Sequence, residues 1–340
     1  MPDTYTPPFE ITDTIIHLIS EISKQLGKIS AEKTFDKNPR LRKINRIQSI
    51  HSSLAIENNS LTLSQVTDII DGKSVIGPYN EILEVKNAAE AYKLLPDLDP
   101  YSEIDLQNTH KIMMNRLIES AGQYRAVGVG VFSGKTCVHL APPAALVKKE
   151  MTDLINWCRS TPVHPLIKSS VFHFELEFIH PFTDGNGRMG RLWQTLILSK
   201  WDASFIWIPV ETLILGKQQE YYDALSQAGK CGKSTVFIEF MLQLIHEALI
   251  TRPEIPADVG INVGINVGIN VGINEEKILT EMRKNPSVTA REIAEVTHLT
   301  QRQAERLISH LKEQGIIRRT GAKKNGQWIL ISRDEQKKES

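Results

Sequence analysis

The run His180-Pro181-Phe182-Thr183-Asp184-Gly185-Asn186-Gly187-Arg188-Met189-Gly190-Arg191 constrains this chain more than any other segment. It follows one apolar, helix-patterned stretch (residues 165–179) and opens a second (186–200). A Gly-Asn-Gly turn at a helix N-terminus aims unsatisfied backbone N–H groups at one spot, which makes an anion site. Glycine on both sides of Asn186 lets the backbone approach a phosphate with no Cβ in the way. Arg188 and Arg191, three residues apart, reach the same helix end and can grip polyphosphate oxygens in bidentate fashion. Asp184 offers the hard oxygen that a phosphate-bound Mg²⁺ prefers. His180, just before the loop, has a side chain suited to taking a proton from a hydroxyl at neutral pH. Together these residues point to phosphoryl transfer from a nucleotide onto a hydroxyl.

Around this run the chain reads as helix for most of its first 250 residues. Residues 11–26 put Ile15, Ile16, Leu18, Ile19, Ile22 and Leu26 at helical spacing, and Gly27 is expected to stop them. The basic stretch 37–59 continues as a helix through Ile44, Ile47, Ile50, Leu54 and Ile56. Helices also fit 81–95 and 104–117, with Pro96 and Gly122 as breakers. Residues 126–131 and 136–140 read as the arms of a hairpin turned at Ser133-Gly134-Lys135 and closed by Pro142-Pro143. Helices resume at 144–158, 165–179, 186–200, 213–228 and 236–250.

Composition narrows the class. The 340 residues suit two or three domains. No apolar run of about 18 residues occurs, and the N-terminus lacks a basic segment followed by an apolar core, so a cytoplasmic protein without a membrane contact is expected. Cys137, Cys158 and Cys231 are odd in number and lack CxxC spacing, which predicts reduced thiols. His173 and Glu177 stand at i, i+4 without a third ligand, so packing is expected of them rather than zinc. Neither a Walker loop nor a serine nucleophile elbow is present.

The C-terminal part has a layout of its own. Four copies of Val-Gly-Ile-Asn fill residues 259–274; their alternation fits an extended strand, and their low complexity fits a linker, placed at 253–274. From 275 to 340 the expected order is a helix to Lys284, a capping box at Thr289/Glu292, a second at Thr300/Gln303, and two strands at 316–320 and 327–331. Three helices and a two-stranded wing resemble a winged helix-turn-helix module. Its second turn helix would present Gln301, Arg302, Gln303, Arg306 and His310 to base edges, with Lys323 and Lys324 on phosphates. Between Arg283 and Arg333 eleven Lys and Arg stand against four Glu, although the whole chain balances 40 basic against 40 acidic residues. Such a basic module on an acidic body suits an anionic partner without naming it; the winged-helix layout points to DNA, and a solvated face for protein contacts is the alternative.

The run 180–191 resembles the signature of the Fic family: His, any residue, Phe, any residue, an acid, Gly-Asn-Gly-Arg, two of any kind, Arg. The resemblance covers residues 7–250. It implies an all-α Fic fold with a small β-hairpin flap, here joined to a C-terminal winged-helix domain of α+β class. The implied division is an N-terminal helical region (1–110) and a catalytic core (111–252). The implied activity is transfer of AMP from Mg·ATP onto a Tyr, Ser or Thr hydroxyl of a target protein, with ATP and Mg²⁺ as cofactors. His180 would be the base and Asp184 the metal ligand. Asn186 with Gly185 and Gly187 would cradle the α-phosphate, Met189 and Gly190 would belong to the same nucleotide-binding run, and Arg188 and Arg191 would bind the β and γ phosphates. The family's kinase branch replaces the Gly-Asn-Gly turn, so its presence here favours nucleotidyl over phosphate transfer. The hairpin from Gly122-Gln123-Tyr124-Arg125 to Pro143 resembles the family flap, which clamps the target as an added strand. Its Thr136, Cys137, Val138 and His139 would border the nucleotide. Tyr221-Tyr222 match a pair lining the adenosine pocket, although Gly229 stands where an asparagine is expected.

Ser53-Leu54-Ala55-Ile56-Glu57-Asn58 resembles the family's inhibitory motif: Ser or Thr, three of any kind, Glu, then Gly or Asn. Ser53 and Glu57 would share one helix face. Glu57 paired with Arg191 would put a carboxylate where phosphate oxygens belong. The same residues also leave open a de-AMPylase, in which Glu57 orients a water, and a nucleotide-sensing DNA-binding regulator. A homodimer is left open too.

Overall fold

A computed structural model describes residues 5–32, 38–133, 136–250, 278–279, 281–297, 307–308, 311–312, 317–320 and 327–330, with the backbone alone for 32, 130–133, 136–140, 295–297, 327, 329 and 330. The VGIN repeat, Gly134, Lys135, the Thr300/Gln303 box, Gln301, Arg302, Gln303, Arg306, His310, Lys323 and Lys324 lie outside the described residues. The chain forms two units, Met1–Glu254 and Ile255–Ser340.

Eleven α-helices are described in the first unit, with one 3-10 helix (Ala203–Trp207) between the eighth and ninth: α1 (Asp13–Glu32), α2 (Pro39–Ile56), α3 (Leu63–Ile70), α4 (Tyr79–Lys93), α5 (Glu103–Met113), α6 (Ala144–Ser160), α7 (Pro165–Ile179), α8 (Asn186–Trp201), α9 (Val210–Gly216), α10 (Gln218–Cys231) and α11 (Thr235–Ile250). One antiparallel hairpin interrupts them, β1 (Gly130–Ser133) with β2 (Thr136–Leu140); Gly130 faces Leu140 and Ser133 faces Thr136. One continuous apolar core runs from Ile15 to Leu249 and crosses the boundary expected near residue 110. None of the described helices is long and apolar enough to cross a membrane.

Three departures from the sequence pattern have physical causes. Helix α1 continues through Gly27 because Ile29, one turn on, extends the buried stripe of Ile15, Leu18, Ile22 and Leu26. A glycine inside a helix costs only about 1 kcal/mol, and that burial outweighs it. The single helix expected at 213–228 is two, since Lys217 leaves helical geometry (φ −123°) after Gly216. Helix α3 escaped the apolar pattern, yet Thr62 and Gln65 form a reciprocal capping box at its start, a signal the sequence carries.

Helices α7 and α8 pack closely, and this pairing positions the motif. A Cβ on Gly190 would come within 2.6 Å of the His173 ring, so only glycine lets the two axes approach this far. The ring of His173 bonds Gln194 at 2.6 Å and the Tyr221 hydroxyl at 3.0 Å. Burial pushes its pKa down to about 3, so it is a neutral core residue, as its packing role predicts. Helix α2 lies against α9, α4 and α8. Asn38 caps its start by accepting from the Leu41 amide, and Pro39 fills the first turn.

In the second unit, α12 (Ala290–Thr297) starts at the predicted box: Glu292 Oε2 accepts from the Thr289 amide and hydroxyl, and Thr289 Oγ1 from the Glu292 amide. Strands β3 (Ile317–Thr320) and β4 (Gln327–Leu330) pair antiparallel as a wing. Ile278, Met282, Val288, Ile293, Ile308, Leu311, Ile317 and Trp328 form a separate small core.

Candidate active site

The site forms where α7 ends, the loop 180–185 turns, and α8 begins. His180 terminates α7 in a left-handed conformation (φ 51°, ψ 60°), unusual for a residue with a Cβ. Its Nδ1 lies 3.4 Å from the Glu177 carbonyl. Gly185 supplies a second positive φ (85°) and is the N-cap of α8. The amides of Asn186, Gly187 and Arg188 follow as the first turn of α8, where no helical acceptor exists.

The loop is braced from beneath. The Asn186 side chain closes a ring with Phe182, accepting from its amide at 3.0 Å and donating to its carbonyl at 2.9 Å. His110 stacks on Phe182 with ring centroids 3.6 Å apart. Its Nδ1 accepts from the Gly122 amide, so Nε2 carries the proton and donates to the Asp184 carbonyl at 2.9 Å. Burial pushes its pKa down to about 4, which keeps the ring neutral.

Both motif arginines are buried and already hold acids. Arg188 donates to Glu84 at 3.2 Å and to Asp184 at 3.1 Å. Arg191 donates from Nε to Ser53 Oγ at 3.0 Å and from Nη2 to the Ser53 carbonyl at 2.9 Å. Nη2 also reaches Glu57 Oε1 at 2.7 Å. That oxygen lies directly over Gly187, where an added Cβ would collide with it. Glu177 faces the same point; its pKa is raised to about 7 by burial and the Glu57 charge, with Arg191 pulling the other way.

The end of α2 explains how Glu57 arrives there. Glu57 is the C-cap, and Asn58 turns left-handed (φ 69°). The Asn58 amide bonds the Ala55 carbonyl and the Asn59 amide bonds the Leu54 carbonyl, the paired pattern of a Schellman ending. Gln218 and Tyr222 both donate to the Ile56 carbonyl, at 2.8 and 3.4 Å.

Residues 100–198 match the model of the Fic/DOC family, and residues 273–318 match that of winged helix-turn-helix DNA-binding domains. The chain is similar to a protein adenylyltransferase Fic of Nematostella vectensis, 31% identical over 206 residues, covering 57% of this chain and 45% of that one. A Caenorhabditis elegans protein adenylyltransferase fic-1 is 29% identical over 194 residues, covering 53% and 36%. The chain thus spans less than half the length of these curated relatives. Its fold is similar to the crystal structure of a Fic family protein from Desulfovibrio desulfuricans G20. The TM-score is 0.71 at 39% identity, over 97% of this chain and 99% of that chain. The chain belongs to the Fic family. It carries a C-terminal winged helix-turn-helix.

Several residues expected at the Fic nucleotide site are used otherwise. The Asn186 side chain is spent on Phe182, which leaves its amide for a ligand. Met189 is fully buried and its amide bonds Gly185, and Gly190 faces His173; both point away from the loop because α8 turns about 100° per residue. Tyr221 is 1% exposed and bonded to His173, so it belongs to the core, whereas Tyr222, one residue round the helix, is 41% exposed. At Thr136, Cys137, Val138 and His139 the structure describes the backbone of β2 alone. Sequence reasoning missed Glu84, His110 and Gln218, which are distant from both motifs in the chain and carry no spacing signal, and Asn59, which follows the inhibitory motif but lies outside its pattern.

The acidic donor set suits a phosphate-bound cation rather than a resident metal. Asp184 spends Oδ1 on Arg188 and the Gly185 amide, and its side chain stays 58% exposed. Among the described residues no group of three or more His, Cys, Asp or Glu could hold a metal ion. One carboxylate completed by phosphates and water is the usual Mg²⁺ arrangement.

Proposed function

We propose that this Fic protein transfers AMP from ATP to a hydroxyl side chain of a target protein and that Glu57 holds it inactive. The observation carrying this reading is the carboxylate of Glu57 seated over Gly187 and paired with Arg191. An internal acid there stands in for the phosphate oxygens of the nucleotide, at a helix N-terminus suited to anions.

When Glu57 withdraws, the amides of Gly187 and Arg188 and the guanidinium of Arg191 can bind phosphate. His180, held at the end of α7, would take the proton of the target hydroxyl. The hydroxyl oxygen attacks the α-phosphorus, a new P–O bond forms, and the bond to the bridging oxygen breaks as pyrophosphate leaves. Asp184 would hold Mg²⁺, which neutralises phosphate charge. Tyr222 offers an exposed ring to the base, and the β1–β2 hairpin a strand edge to a Tyr, Ser or Thr of the target.

The test compares wild type, Glu57→Gly and Glu57→Gly/His180→Ala with Mg²⁺ and α-labelled ATP, read by label and intact mass. Label on Glu57→Gly alone, with an AMP-sized mass increase, is the expected result. Equal labelling of wild type and Glu57→Gly would remove the inhibitory role. Glu57 is 35% exposed beside the site, which also suits orienting a water for the reverse reaction. Release of AMP from labelled protein by wild type and not by Glu57→Gly would identify that activity. The winged helix-turn-helix supports DNA as a further partner.

A further inference from the structure

Arg125 is 3% exposed, and among the described residues its side-chain hydrogen bonds all go to backbone carbonyls. Nε donates to His180 at 2.7 Å, and Nη2 to Ile179 at 3.2 Å. Its own amide donates to Pro181 at 2.9 Å. One residue thus grips three successive carbonyls across the left-handed turn of His180. The remaining bonds go elsewhere: Nη1 to Val127 at 2.9 Å and Nη2 to Pro142 at 2.6 Å. Val127 precedes β1 and Pro142 follows β2, so the same guanidinium ties both roots of the hairpin.

We propose that Arg125 is a positioning residue that fixes the distance between His180 and the hairpin, and so between the base and the incoming hydroxyl. This rests on the reading of the site as an adenylyl transferase. A non-glycine residue at positive φ keeps that conformation only where its surroundings over-determine it, and the bonds at 179, 180 and 181 do so. The planar fork of arginine reaches four carbonyls in different directions; a lysine ammonium on a narrower stem cannot. Among the described residues none of its hydrogen bonds goes to the first turn of α8 or to Arg191, so nucleotide binding is separable from its role. Proton transfer needs a near-attack geometry, and misplacement by about 1 Å costs on the order of 100-fold in rate.

The experiment places Arg125→Lys and Arg125→Gln in the full chain carrying Glu57→Gly. Initial rates of labelling at saturating ATP give turnover, calorimetry with ATP gives affinity, and hydrogen exchange covers residues 126–129 and 179–183. Turnover is expected to fall about 100-fold while ATP affinity stays within about 3-fold of the parent. Exchange should rise in both segments and stay unchanged in α8 and α10. Turnover within about 3-fold of the parent overturns the proposal, and so does an ATP affinity that weakens in step with turnover, which marks a general structural role. If the Glu57→Gly parent itself transfers no AMP, the functional reading fails instead. The exchange result then decides alone whether Arg125 couples the hairpin to the His180 turn, and no local rise refutes it.

Discussion

Asn59 and Arg188 share one carboxylate: Asn59 Nδ2 donates to Glu84 Oε2 at 2.8 Å, and Arg188 Nη1 to Glu84 Oε1 at 3.2 Å. The segment that ends α2 is therefore fastened to both motif arginines, to Arg191 through Ser53 and Glu57 and to Arg188 through Asn59 and Glu84. Glu84 lies on α4, far from either motif in the chain.

Glu84→Gln should loosen the inhibited state. The change weakens a charge-assisted bond to a buried guanidinium, worth about 1–2 kcal/mol, which corresponds to roughly 5–30-fold in the balance between held and released α2. Labelling by the wild-type chain should rise by about that factor, well below the rise from Glu57→Gly. In the Glu57→Gly background no further rise is expected, since α2 is already released. A double-mutant cycle on initial rates checks this, and equal gains in both backgrounds would refute it.

Gly187→Ala tests whether phosphate takes the place of the Glu57 carboxylate. An alanine Cβ there would meet Glu57 Oε1, with Arg191 Nη1 at 3.1 Å and Glu177 Oε1 at 3.3 Å. In the Glu57→Gly background the same Cβ should obstruct the nucleotide, weakening ATP binding about 10-fold or more, a loss of roughly 1.4 kcal/mol. Calorimetry with ATP reads it, and an affinity within about 2-fold of the parent would place phosphate elsewhere.

The sequence carried the motif loop and most helices because both are local. Helical periodicity placed α7 at 165–179, and the glycines at 185 and 187 marked a turn into α8. Ser53 and Glu57 fall on one side of α2 as their spacing requires, and both meet Arg191. The braces were not legible. His110 under Phe182, Glu84 on Arg188 and Arg125 on the His180 carbonyl depend on which helices pack together, and a single chain encodes that only through the whole core. Tyr221 shows the opposite failure: a resemblance put two adjacent tyrosines in one pocket, but consecutive helical residues point about 100° apart, and one had to enter the core.

Asn58 is a further test of how Glu57 is aimed. Its left-handed conformation (φ 69°) suits glycine best and asparagine next, which accounts for Gly or Asn after the glutamate. Asn58→Gly should leave inhibition intact. Asn58→Ala puts a Cβ into a conformation costing about 1–2 kcal/mol, which should fray the end of α2 and raise basal labelling roughly 5-fold or more. Labelling rates of the two variants side by side check this; identical rates would show that the turn does not set the position of Glu57.

Glu175 gives the fold a pH dependence separate from the chemistry. It is 6% exposed, accepts from the Tyr5 hydroxyl at 3.1 Å, and has a pKa raised from 4.5 to about 7 by burial, with the Tyr5 bond pulling down and Glu150 pushing up. Between these two values the folded chain holds a proton that the unfolded chain has lost. Its contribution is therefore full below about pH 4.5 and is lost as pH rises through about 7, a difference on the order of 3 kcal/mol. Glu175→Gln removes this loss while its amide oxygen still accepts from Tyr5. The variant should gain stability on wild type as pH rises from about 4.5 to 7.5, while His110, His173 and Glu177 titrate alike in both chains. Urea unfolding of the two proteins across that range measures the difference, and a gap that stays constant with pH would mean that Glu175 is already ionised in the folded chain.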